Sequence, residues 1–162
     1  MRIAIGSDHR GFSLKSHLVK ALHQWGHEIV DLGSDSDQSI DYPDIASAVG
    51  KQVSTQQVER GILICGTGIG MSITANKFSG VRAAPCHDVA TARLSRQHND
   101  LNVLCLAGTH PNIETTATEL IQIWLETPFD GGRHARRLEK ITALENATDE
   151  NSQSNPSSNN AS

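Results

Sequence analysis

The run Gly61-Ile62-Leu63-Ile64-Cys65 is the most apolar stretch of the chain, and it passes directly into Gly66-Thr67-Gly68-Ile69-Gly70. An apolar run without polar alternation reads as a strand covered on both faces, the habit of a central strand in a parallel sheet. Other short apolar runs alternate with helical patterns around it. Ile3–Gly6 reads as a strand, followed by a helix with Leu14, Leu18, Leu22 and Trp25 on one stripe and Gly26 as its stop. Glu28–Leu32 is a second strand, and the helix after Pro43 puts Ile45, Val49 and Val53 on one face. Val81–Ala84 and Asn102–Ala107 complete five strands, with helices over 87–97, 112–126 and about 134–145. Strands separated by helices predict an α/β three-layer sandwich around a five-stranded parallel sheet, flavodoxin- or Rossmann-like, with right-handed crossovers. The expected strand order is 2-1-3-4-5. Its switch point lies between the first and third strands, and ligands bind outside their carboxyl ends.

The chain has 162 residues, enough for one domain with an ordinary core. From Asn146 to Ser162 it runs NATDENSQSNPSSNNAS, with no aliphatic residue larger than Ala. Such a stretch cannot bury enough apolar area to offset its ordering entropy. The expected organisation is therefore a domain over 1–145 and a disordered Asn/Ser-rich tail over 146–162. With 14 Lys+Arg against 18 Asp+Glu, the chain has no basic excess to hold a nucleic-acid backbone. No apolar run approaches the roughly 20 residues a bilayer span needs, and Asp8 arrives too early for a signal peptide. A soluble cytoplasmic protein is the expectation. Cys65, Cys86 and Cys105 have no C-x-x-C spacing and read as reduced thiols.

The switch point directs attention to Ser7-Asp8-His9-Arg10-Gly11 after the first strand and to Cys65–Ser72 after the third. Gly66, Gly68 and Gly70 at alternate positions let the backbone turn tightly and aim successive N–H groups at one point, which suits a phosphate or a developing oxyanion. A dinucleotide fingerprint would need Gly where Met71 stands, and a P-loop would need a closing Gly-Lys-Ser/Thr. A tight turn that only packs satisfies the same spacing. Cys65 is likewise open to two readings. One is a buried small hydrophobe; the other is a thiolate favoured by surrounding N–H groups, acting as nucleophile or base. Cys105, inside the fifth strand, reads as core.

The histidines cluster only as Asp8-His9, His87-Asp88 and His98-Asn99-Asp100, without the helix-face spacing of a metal site. No metal and no cofactor is expected. Few aromatics are present and none lies in the anion loops, which argues against a flavin-type electron carrier. Arg133 and Arg137 stand four apart at the start of the last helix and share a face, as a phosphate clamp would. A solvated charged face is the plain alternative. The helix over 87–97 carries the chain about 16 Å back across the sheet at 1.5 Å per residue. His98 and Asn99 are therefore expected at the opposite end from Cys65 of their own chain. They would meet such a crevice only on a two-fold-related subunit.

Taken together, GSDHRGFSLK, DYPDIA at 41–46, GILICGTGIGMSITANK at 61–77, RLSRQHNDLNVLCL at 93–106 and GGRHARR at 131–137 resemble the type B ribose-5-phosphate isomerase family. That family includes the galactose-6-phosphate isomerase subunits. The resemblance covers about residues 2–145. It implies a metal-free aldose–ketose isomerisation of the pentose phosphate pathway, through a cis-enediolate, in a homodimer (or tetramer) with shared active sites. On this resemblance Cys65 is the base that moves a proton between C1 and C2, and His98 opens the furanose ring. Gly66, Thr67, Gly68, Ile69 and Gly70 form the loop that stabilises the enediolate, with Thr67 placed to help position the proton-transfer group. Asp8, His9, Tyr42 and Asn99 contact the sugar phosphate, and Arg133 and Arg137 clamp the phosphate. One departure follows the fifth strand. Family members commonly carry Leu-Gly-Ala/Ser-Arg there, the Arg reaching the phosphate, whereas this chain has Leu106-Ala107-Gly108-Thr109-His110. A His is shorter and only partly charged at neutral pH. Sister readings are an isomerase of allose 6-phosphate or galactose 6-phosphate, or a sugar-phosphate binding protein without catalysis.

Overall fold

A computed structural model describes residues 1–109 and 113–153. Five parallel strands, β1 (Arg2–Ser7), β2 (Glu28–Asp31), β3 (Arg60–Cys65), β4 (Ala83–Pro85) and β5 (Val103–Ala107), form one sheet. The described helices are α1 (Phe12–Gln24), α2 (Tyr42–Ser54), α3 (Ile69–Ala75), α4 (Val89–Asn99), α5 (Ile113–Glu126) and α6 (Arg133–Gln153). Side chains alternate across the pleat and divide the core in two. Ile3, Ile5, Ile62, Ile64, Leu104 and Leu106 pack against Leu14, Leu18 and Leu22 of α1 and Leu120, Ile121 and Trp124 of α5. Ala4, Leu63, Val103 and Cys105 face the other way, onto Ala46, Val49 and Val53 of α2 and Met71 and Ala75 of α3. The expected three-layer architecture is present.

The strand order differs from expectation. It is β2-β1-β3-β5-β4, not 2-1-3-4-5. β5 is buried along Val103–Leu106 and so takes the inner place beside β3, where both faces are covered. β4 has three residues and ends in Pro85, which lacks a ladder donor, so it suits the edge. The exchange leaves the switch point between β1 and β3 untouched, because β1 still pairs β2 on one side and β3 on the other.

Two boundaries also move. α4 runs to Asn99, so His98 and Asn99 form its last turn instead of following it. Asp100 closes the helix in the left-handed conformation at φ 45°. α6 continues past Asn146 to Gln153, into the stretch expected to be a tail. A helix satisfies its own backbone hydrogen bonds and propagates at little cost once nucleated, so it can extend into a stretch without apolar residues. Residues 154–162 lie outside the described part.

Candidate active site in two halves

The first half stands at the carboxyl ends of β1 and β3. The Asp8 N–H donates to the Ile64 carbonyl (3.1 Å), fastening the loop after β1 to β3. One Asp8 carboxylate oxygen accepts from the N–H groups of Arg10 (2.9 Å) and Gly11 (3.1 Å), capping a single 3-10 turn at His9–Gly11. Asp8 thus builds the loop as well as lining it. His9 Nδ1 and Ser7 Oγ are buried without a hydrogen-bond partner among the described residues. Buried polar atoms are normally satisfied, so these suit a site that receives a polar ligand.

Cys65 ends β3 and is 5% exposed. The Gly68 N–H donates to its Sγ at 3.1 Å, so the loop is wrapped onto the sulfur. Gly68 has φ +78° and turns the chain where an L side chain would be strained. The Gly108 N–H donates to the Cys65 carbonyl (2.7 Å) and Thr109 Oγ1 to the Gly66 carbonyl (2.9 Å), joining the loop after β5 to the loop after β3. Thr67 Oγ1 accepts from the Ile69 N–H at 3.3 Å, and Ile69 itself is exposed. A Cβ on Gly70 would come within 2.6 Å of the Tyr42 ring, so Tyr42, at the start of α2, lies directly over the loop. Cys65, Thr67, Tyr42, Asp8, His9 and the glycine loop therefore share one end of the sheet. His110 lies outside the described residues.

The other two thiols belong to the core. Cys105 is fully buried in β5, and Cys86, left open by sequence, is 2% exposed in the α1/α5 layer. Burial pushes both thiols up, away from the thiolate.

The second half gathers His98, Asn99, Arg133 and Arg137, and it is elsewhere. Val103 pairs with Gly61 and Ala107 with Cys65, so the end of α4, which leads into β5, lies at the amino end of β3. Four strand steps, about 13 Å, separate that level from Cys65. The geometric expectation for His98 and Asn99 holds: they do not meet Cys65 of the same chain.

Sequence reasoning missed what holds His98. Its ring stacks on that of His134, centroids 4.3 Å apart and planes 3° from parallel. The Asp130 N–H donates to the Gln97 carbonyl (3.0 Å), tying the approach to α6 onto the end of α4. Arg133 Nε donates to His134 Nε2 at 3.3 Å, which makes that nitrogen the acceptor. Burial, then the charges of His98, Arg133 and Arg137, lower the His134 pKa, against a smaller upward pull from Asp130. His134 lies within the GGRHARR segment, but only the fold shows that its ring faces His98. Arg133 and Arg137 are exposed on one side of α6.

One ligand atom each from His98, Asp130 and His134 lie within 4.8 Å of one another, a grouping that could hold a metal ion. No motif spacing announces it, since the residues come from two segments. Near-parallel rings do not converge their lone pairs, His134 Nε2 already faces Arg133, and two arginines raise the local positive charge. The donor set therefore fits a cation poorly.

The sequence model of the ribose/galactose isomerase family matches residues 3–141, across both halves of the site. The chain belongs to that family. This isomerase-family member is 47% identical over 144 residues to ribose-5-phosphate isomerase B of Escherichia coli strain K12, covering 89% of this chain and 96% of that protein. It also resembles the solved ribose-5-phosphate isomerase B of Clostridium thermocellum, with a TM-score of 0.87 and 43% identity, covering 91% of this chain and 99% of that one. The Mycoplasma genitalium ribose-5-phosphate isomerase B, solved with bound ribulose 5-phosphate, matches with a TM-score of 0.86 and 40% identity over 90% of this chain and 96% of that one. Among the described residues of this family member, no helix is long and apolar enough to cross a membrane.

Proposed function

We propose that the chain is an aldose–ketose isomerase that interconverts ribose 5-phosphate and ribulose 5-phosphate in the cytoplasm. Each site would combine the Cys65 half of one copy with the His98 half of a second. The observation that carries this reading is the separation of the halves: a base and oxyanion loop at one end of the sheet, an acid and phosphate clamp at the other. Neither half holds a complete set of groups. A two-fold partner supplies what each lacks. Exposed Ile69, Ile73, Leu94 and Ile141 give apolar surface that a second copy would cover.

In this reading His98 passes a proton to the ring oxygen while solvent water takes the O1 proton, opening the furanose. The Cys65 thiolate then removes the proton on C2, and the electron pair moves to the C1 oxygen. Backbone N–H groups of residues 66–70 hold that oxyanion. A proton passes from the C2 oxygen to the C1 oxygen beside Thr67, and the Cys65 thiol returns its proton to C1 as the C2 carbonyl forms. No atom is gained or lost, and the oxidation at C2 balances the reduction at C1, so the step needs no external oxidant or reductant. Asp8, His9, Tyr42 and Asn99 orient the sugar, and Arg133 and Arg137 hold the phosphate.

Steady-state assays with ribose 5-phosphate, allose 6-phosphate and galactose 6-phosphate, run side by side, test the assignment. The highest kcat/KM is expected with ribose 5-phosphate. A higher value with either hexose phosphate would transfer the reading to the sister activity. Tight binding without turnover of any would leave a sugar-phosphate binding protein.

A further inference from the structure

Arg10 is exposed at the tip of the 3-10 turn, and its side chain is laid across Gly66. A Cβ at Gly66 would sit 3.2 Å from Arg10 Nη1 and 3.3 Å from Arg10 Cδ. The guanidinium makes no hydrogen bond or ion pair with any described residue. Nearby Asp8 does not pair with it, because that carboxylate accepts from the Arg10 and Gly11 backbone instead. Lys15, which also reaches this end of the sheet through the Gly33 carbonyl, is buried and paired with Asp31 at 2.6 Å, whereas Arg10 is exposed. Its main chain also touches the loop after β5, where the Arg10 carbonyl is 3.0 Å from a Cβ placed on Gly108.

We propose that Arg10 is a substrate-binding residue that holds the phosphate from the Cys65 side of the crevice, opposite Arg133 and Arg137 of the second copy. This rests on the isomerase reading above. The geometry distinguishes the phosphate from the reacting end of the sugar. The carbons that exchange a proton must reach the buried thiol of Cys65, whose loop supplies N–H donors for the oxyanion. The dianion remains at the rim, where an exposed, unpaired fork of N–H donors meets it in bidentate fashion. Through its main chain Arg10 also lies against Gly108 in the loop after β5, which fixes the base of its side chain beside the Cys65 loop.

Arg10→Gln and Arg10→Lys test this, with KM for ribose 5-phosphate and the calorimetric Kd of inorganic phosphate measured on the full chain. Arg10→Gln should raise both by the same factor, about tenfold to a hundredfold, with the loss in kcat/KM carried mainly by KM. Arg10→Lys should recover part of the loss, and inhibition by unphosphorylated ribose should not change. Unchanged KM and phosphate Kd in Arg10→Gln would overturn the proposal. So would equal weakening of ribose and phosphate, which would place Arg10 at the reacting end. Calorimetry needs no turnover. A chain that binds phosphate through Arg10 yet isomerises no sugar would therefore sink the isomerase reading alone.

Discussion

The Cys65 half and the His98 half are built in opposite ways. The first is backbone set by the core: β1 and β3 end side by side, and N–H donors at Gly68 and Gly108 fix the Cys65 sulfur and carbonyl. Cys65 itself is buried. The second is side chains on helix ends: a stacked pair of imidazoles and two exposed arginines, held by the Asp130–Gln97 backbone bond and, further along α6, by Glu145 accepting from the Gly80 N–H at 3.0 Å. Buried donors keep their geometry without a partner, whereas exposed charges acquire full strength only when a second surface excludes water. On the proposed isomerase reading, the fixed base belongs to the first half, and the second half adds side chains that complete the site from another copy.

Replacing the base gives the sharpest separation of the halves. Cys65→Ala should cut kcat by about 10² to 10⁴ while leaving Tm close to the parent, as general-base removal does. A coupled assay for ketose formation and a melting curve measure the two, and near-parental kcat would remove Cys65 from the mechanism. His98→Ala should be similarly inactive. Mixing the two inactive proteins and allowing exchange should restore one intact site per heterodimer, about half the parental activity. No recovery after exchange is verified by mass spectrometry would show that the halves do not meet across copies.

The clamp should respond differently from the base. Arg137→Ala should raise KM for ribose 5-phosphate by about tenfold or more and change kcat less, since the phosphate is remote from C1 and C2. An unchanged KM would leave Arg137 as solvated surface.

The smallest expected effect concerns pH. The His134 pKa is lowered in the fold, so the unfolded chain takes up a proton first as pH falls through the ordinary imidazole range of about 6.5. The stability carried by neutral His134 is present above that range and is lost below it. Tm should fall as the buffer is taken from about pH 7.5 to pH 5.5, and His134→Phe, which stacks but does not titrate, should shrink that fall. An undiminished fall in His134→Phe would assign the pH response to other groups, such as His27, whose pKa burial also lowers.

Much of this molecule follows from local rules. Apolar runs and helical stripes set the elements, because period and punctuation act within a few residues. The glycine spacing after Cys65 located a tight loop, since Gly68 at φ +78° and Gly70 under Tyr42 admit no side chain without displacement. The opposite placement of His98 also followed from helix length alone. Tertiary structure decided the rest. β5 displaced β4 from the inner place because two strands competed for two-sided burial, a contest no local pattern records. The end of α6 at Gln153 was not legible either, because composition limits what a chain can bury and not which backbone bonds a helix makes. His134 met His98, and Arg10 crossed Gly66, because segments distant in sequence were packed together; proximity of that kind is a property of the folded chain.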